Sequence, residues 1–146
     1  MSNNDTELYK LPLDGFKNIM KSTILVVDDD PLNISVIERG LRKFKIKLYK
    51  AENGLAALDI LNRHKDKIDI VLMDLMMPIM NGFIATKEIK INDELKHLPV
   101  IVITAFSDEE TKTECYKLGC CDFISKPFDL FLLFDKINKW ILKNNK

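Results

Sequence analysis

The chain has 146 residues, 47% hydrophobic and 30% charged, with 22 basic side chains against 22 acidic ones and no formal net charge. That length suits one domain with a real core, and a neutral balance without a basic cluster excludes the phosphate neutralisation that nucleic-acid binding leans on. No stretch approaches the ~20 apolar residues of a membrane span, and no charged-then-apolar leader opens the chain, so no export or membrane partner is expected and the cytoplasm is the expected compartment.

Residues 1–22 are polar and mixed, with Leu11, Leu13, Phe16, Ile19 and Met20 scattered through them. They read either as a segment that docks on the domain or as a loosely ordered extension. Short β-rich runs then follow at Ile24–Asp28, Lys47–Ala51, Ile68–Asp74, Val100–Thr104 and Asp122–Ser125. Longer segments of helical spacing alternate with them: Ile34, Ile37, Leu41 and Phe44 share one face of the first, and Leu130, Leu133, Phe134, Ile137 and Ile141 one face of the last. Asp30-Pro31 places a capping acid before a proline at the first helical position. Asn53-Gly54 turns the chain into the second helix. Ser107 with Glu110 has the form of a capping box for the fourth, and Gly119 is placed to end it in a left-handed conformation.

Five repeats of strand then helix predict an α/β domain with a parallel sheet covered on both faces, and the near-continuous apolar runs "ILVV", "IDIVLM" and "VIVI" suit such strands. For five strands the common order is 2-1-3-4-5, with ligands bound beyond the carboxyl ends of the strands where the order reverses. Asp28 and Asp29 close the first strand and Asp74 the third, so this order brings three carboxylates together. Two like charges ~4 Å apart repel by about 4 kcal/mol at an effective dielectric of ~20, so the cluster calls for a shared proton or a cation. Oxygen ligands in a wet crevice suit Mg²⁺, with the backbone carbonyl of Met76 as a further ligand. Thr104 ends the fourth strand, and Lys126 follows the fifth. A metal, a hydroxyl and an ammonium around one carboxylate describe a site for a phosphoryl group on Asp74. Asp30 reads as a helix cap, and His64 and His97 as surface residues. Cys115, Cys120 and Cys121 lack metal-ligand spacing and read as reduced thiols.

The pieces "VVDDDPLN", "MDLMMPIMNG", "VIVITA" and "CCDFISKPF", in this order and spacing, resemble the receiver domain of two-component response regulators, the CheY-like family with a flavodoxin-like fold. The resemblance covers residues 23–143, leaving 1–22 as an extension and 144–146 as a tail. It implies Asp28 and Asp29 as the acid pair for Mg²⁺, Asp74 as phosphoacceptor, Thr104 as the switching hydroxyl and Lys126 as the phosphate-binding lysine. It also implies a cis Lys126–Pro127 peptide, and Phe123 as the aromatic that repacks on phosphorylation. The implied phosphoryl donor is a histidine kinase or a histidine phosphotransfer protein. The implied output is a surface of the fourth helix, fifth strand and fifth helix that contacts a downstream protein or a second copy; Phe131 and Leu132 lie off the core stripe there. The chain is then no enzyme beyond loading and losing its own phosphoryl group. Met76 and Phe106, each two residues past a site residue, are apolar where they flank the path of a hydrolytic water, and are expected to slow phosphoryl loss.

Three rivals compete. A dehalogenase-type phosphatase needs D-x-D-x-T at the first strand, and "DDDPLN" lacks the threonine. A flavodoxin-type cofactor binder needs a Ser/Thr/Gly loop where this chain has acids. A receiver-like module that docks without phosphate remains the alternative. With about 20 residues after Lys126 no output domain follows, so the chain is expected to be a stand-alone receiver, which the opening methionine favours, or one joined to a kinase.

Overall fold

A computed structural model of the chain describes residues 13–144, and Leu11 and the last two residues of the expected tail lie outside them. Five strands, β1 (Thr23–Val27), β2 (Lys47–Ala51), β3 (Ile70–Met73), β4 (Val100–Thr104) and β5 (Asp122–Ser125), alternate with five helices. The helices are α1 (Pro31–Leu41), α2 (Gly54–His64), α3 (Gly82–Ile91), α4 (Glu109–Leu118) and α5 (Leu130–Asn144). All strand pairs are parallel and the sheet order is 2-1-3-4-5, the flavodoxin-like arrangement expected from the sequence.

Strand alternation divides the core. Ile24, Val26, Ile70, Leu72, Ile101 and Ile103 face one side, where α1 and α5 cover them; Leu25, Val27, Val71, Met73 and Val100 face α2 and α3. Beneath α4 lies a separate, smaller cluster of Leu75, Val102, Cys115, Cys120 and Phe123. Cys115 is the one buried residue of α4, so that helix is held more lightly than its neighbours. Edge strand β2 carries exposed Lys47 and Lys50, which discourage pairing with another chain.

The helix starts follow side-chain chemistry. Asp30, Asn53 and Asn81 cap α1, α2 and α3 by accepting from Leu32, Ala56 and Ile84 backbone N–H groups. The capping box at Ser107 is not formed. Instead α4 starts one residue later, because the Asp108 carboxylate accepts both the Thr111 N–H (3.0 Å) and the Thr111 hydroxyl (2.7 Å), which a single serine oxygen could not match. Gly119 ends α4 at φ 110°, the left-handed cap expected of it. His64 is half-buried, its ring stacked 4.6 Å from that of Tyr49, whereas His97 is exposed.

Before β1, Leu13–Phe16 forms a 3-10 turn and the following residues dock. Phe16 and Ile19 are buried against the α1 and α5 side of the sheet. The Asn138 side chain on α5 accepts from the Asn18 and Ile19 N–H groups at 3.0 and 3.1 Å and donates to the Gly15 carbonyl at 3.2 Å. Among the described residues no helix is long and apolar enough to cross a membrane.

Candidate functional site

At the carboxyl end of the sheet, β1 and β3 are neighbours with Val27 opposite Met73, so the next residues, Asp28 and Asp74, emerge side by side. Each strand stops one residue short of its acid, a shift within the usual latitude of strand ends. One carboxylate oxygen from each of Asp28, Asp29 and Asp74 lies within 4.8 Å of the others. Asp28 and Asp74 are 4% and 8% exposed, and Asp29 faces solvent. Three anionic oxygens at that spacing, two of them largely withdrawn from water, fit a hard divalent cation such as Mg²⁺.

Lys126 reaches this cluster from the end of β5. Its ammonium donates to Asp28 Oδ2 at 2.8 Å and to Asp74 Oδ2 at 3.2 Å. Burial pulls its pKa down, but the hydrogen bond to Asp28 and the charges of Asp74 and Asp28 win, and the ammonium is held above its ordinary range. Asp74 behaves oppositely. Burial pushes its pKa up, Lys126 opposes this, Asp28 adds to it, and the net direction is upward. The other Asp74 oxygen accepts the Leu75 N–H at 2.7 Å. Asp28 is pinned more thoroughly, with Oδ1 accepting the Asp30 N–H at 2.9 Å and Oδ2 accepting from Lys126 and from Asn33 Nδ2 at 3.3 Å.

The loop after Asp74 turns tightly. The Gly82 N–H donates to the Leu75 carbonyl at 2.8 Å, and a Cβ at Gly82 would lie 2.1 Å from the Asp74 carbonyl oxygen, so only glycine lets α3 begin that close to the acid. Thr104 is fully buried at the end of β4, its hydroxyl accepting the Phe106 N–H at 3.3 Å. The Phe123 ring is buried under α4, with the Lys112 ammonium 5.7 Å from its centroid. The Lys126–Pro127 peptide bond is cis. The Met76 and Phe106 side chains are 53% and 51% exposed on the rim. An open cleft of about 390 Å³ runs beside the cluster, lined by Asn33, Val36, Ala105, Lys126, Pro127 and Phe128. Leu132 and Phe131 stand exposed on α5, and Phe131 meets Phe16 edge to face at 5.9 Å.

The structure thus brings Asp28, Asp29, Asp74 and Lys126 into direct contact range, with Thr104 at the adjoining strand end. Phe123 lies one layer below. Sequence reasoning missed Asn33. The available signal was its place as the third residue of α1, from which a polar side chain can reach back to the preceding loop, as in a capping box.

The thiols take no part here. Cys115 and Cys120 are buried and Cys121 half-buried. Burial pushes their pKa values up to about 11, 12 and 12, far from thiolate chemistry at neutral pH.

Comparison with known proteins matches residues 24–138 to the response regulator receiver domain. The polar-differentiation response regulator DivK of Brucella anthropi is 31% identical over 122 residues, spanning 84% of this chain and 98% of DivK. A probable cyclic di-GMP phosphodiesterase of Vibrio cholerae is 35% identical over 124 residues, but this chain spans only 27% of it. Among solved structures, the receiver domain of a Pseudomonas aeruginosa sensor histidine kinase, with a magnesium ion coordinated in its active-site cleft, is 31% identical with a TM-score of 0.75. That likeness covers 82% of this chain and 97% of that one.

Proposed function

Given that the chain belongs to the response regulator receiver family, a signalling domain of two-component phosphorelays rather than a catalytic enzyme, we propose that Asp74 is its phosphoacceptor. The phosphoryl group comes from a histidine kinase or a histidine phosphotransfer protein, and relatives that include a hybrid signal transduction histidine kinase and a probable histidine kinase support that donor class. The observation that carries this reading is the contact of one half-buried ammonium with two buried carboxylates where β1, β3 and β5 end. The receiver unit is assigned to residues 23–143, with 1–22 as an extension and 144–146 as a tail.

Asp28, Asp29, Asp74 and the Met76 backbone carbonyl are the residues that would hold Mg²⁺. When bound, the ion supplies positive charge and a template for phosphoryl oxygens. The chain's own groups do the rest. Asp74 must react as the carboxylate, and the Lys126 ammonium opposes the burial effect and favours that form. Its oxygen forms a bond to phosphorus as the donor's phosphorus–nitrogen bond breaks, the electron pair leaving with the imidazole. Lys126 then turns from the carboxylates to a phosphoryl oxygen. The Thr104 hydroxyl, now an acceptor from Phe106, donates to another. Its movement opens room for the Phe123 ring, and the lightly held α4 repacks with β5 and α5. That face then contacts a downstream protein or a second copy of the chain.

Incubation with Mg²⁺ and acetyl phosphate, followed by intact mass, tests the assignment. One added phosphoryl group in the wild type, absent in Asp74→Asn and with EDTA, is the expected result. No addition even from a phosphorylated histidine phosphotransfer protein would leave a module that docks without phosphate.

A further inference from the structure

Asp28 can serve a cation only if its carboxylate stays aimed, and three donors aim it. The Asp30 N–H holds Oδ1 at 2.9 Å; Lys126 Nζ at 2.8 Å and Asn33 Nδ2 at 3.3 Å share Oδ2. Lys126 is also bound to Asp74, so it is the donor that must change partners when a phosphoryl group arrives. Without a second donor, Oδ2 would then be free to pivot about the Asp30 contact.

Resting on the phosphoacceptor reading above, we propose that Asn33 is a positioning residue, which holds Asp28 Oδ2 from the framework of α1 before and after Lys126 departs. An ionised carboxylate only accepts, so the amide must turn its NH₂ to Asp28. Its backbone is fixed by the start of α1, where the Asn33 N–H donates to the Asp30 carbonyl at 3.1 Å, two residues after Pro31. The bond therefore joins a rigid helix to the carboxylate rather than one loop side chain to another. Outer contacts of this kind typically govern metal affinity by on the order of 10- to 100-fold. The opposing view is that Asn33 is a half-buried helix residue whose amide meets Asp28 by proximity alone. The two views differ in what removal of the NH₂ should do.

The test uses the full chain with Mg²⁺ alone as the probe, comparing wild type, Asn33→Leu and Asn33→Gln by isothermal titration calorimetry, with a urea melt of each. Asn33→Leu, which keeps the branched outline and loses the donor, should bind Mg²⁺ about 10-fold more weakly while its melt in the absence of Mg²⁺ is little changed. Asn33→Gln should bind more tightly than Asn33→Leu. With acetyl phosphate, the Mg²⁺ concentration for half-maximal rate should rise in Asn33→Leu while the rate at saturating Mg²⁺ changes little. Wild-type Mg²⁺ affinity in Asn33→Leu, or no rescue by Asn33→Gln, would overturn the positioning role and leave the phosphoacceptor reading intact. A wild type that binds no Mg²⁺ would overturn both.

Discussion

The proposed phosphoacceptor role requires Asp74 to ionise at a place where ionisation opposes folding. Its pKa in the fold lies above its ordinary value, mainly through burial. For such a group the favourable contribution exists below the unfolded pKa and is lost as pH rises through the folded one. Ionisation of this side chain therefore destabilises the metal-free protein. Asp74→Asn should melt a few degrees higher than wild type at pH 7 without Mg²⁺, and the difference should shrink as pH falls through the carboxylate range. Scanning calorimetry at several pH values checks this. Mg²⁺ should reverse the ranking, since a ligand at 100 times its Kd stabilises by about 2.7 kcal/mol and the variant has lost one of the three carboxylates. On the rim, Met76 and Phe106 expose apolar side chains where a hydrolytic water would approach. Replacing them together with Asn and Glu should speed loss of the phosphoryl group by about 10-fold, less than the ~10²–10⁴-fold a fully positioned acid–base group supplies; an unchanged decay in the intact-mass experiment sinks the idea.

Between elements, the tie that matters away from the site joins β5 to α5. Asp122 is buried and accepts from Lys136 Nζ at 2.8 Å and Trp140 Nε1 at 2.9 Å. Burial raises its pKa, but these two donors and the Phe123 N–H more than offset that, so it lies below the ordinary value. Its contribution is present above the unfolded pKa and is lost as pH falls through the depressed folded one. Asp122→Ala removes the acceptor that Lys136, Trp140 and the Phe123 N–H share and should cost ~2–4 kcal/mol, measured by urea denaturation followed by the fluorescence of Trp140. None of this could be read along the chain, because Asp122 lies on β5 and Lys136 and Trp140 on α5, and they meet only once α5 has packed against the sheet. The strands, the faces of α1 and α5, and the acids at strand ends were legible because each rests on local periodicity or on a topology rule. The α4 cap was misplaced by one residue because Ser107 and Asp108 are both good caps, and Thr111's added hydroxyl bond favours Asp108. Asn33 was overlooked because its one signal, a polar side chain at the third position of α1, points as readily to an ordinary helix start as to a contact with Asp28.

The whole molecule is closed by its N-terminal segment. Phe16 lies 5.6 Å from the Phe44 ring, which in turn packs 5.6 Å from Phe134 on α5. A Cβ at Gly40 would lie 2.7 Å from Phe134, so α1 and α5 leave no room between them at that level and Phe16 caps the aromatic stack from outside. Phe16→Ala should lower stability by about 3 kcal/mol in a urea melt while leaving Mg²⁺ affinity at the far end of β1 unaltered; a loss of Mg²⁺ affinity would show that the segment acts on the site. The contact between the segment and α5 spans 120 residues of sequence, from Asn18 to Asn138. Because synthesis runs from the N-terminus, Phe16 and Ile19 leave the ribosome well before the α5 residues that shelter them, 120 residues further on. Until then the nascent chain presents an uncovered aromatic surface, and chaperone capture during translation should concentrate on that surface rather than on the edges of the sheet.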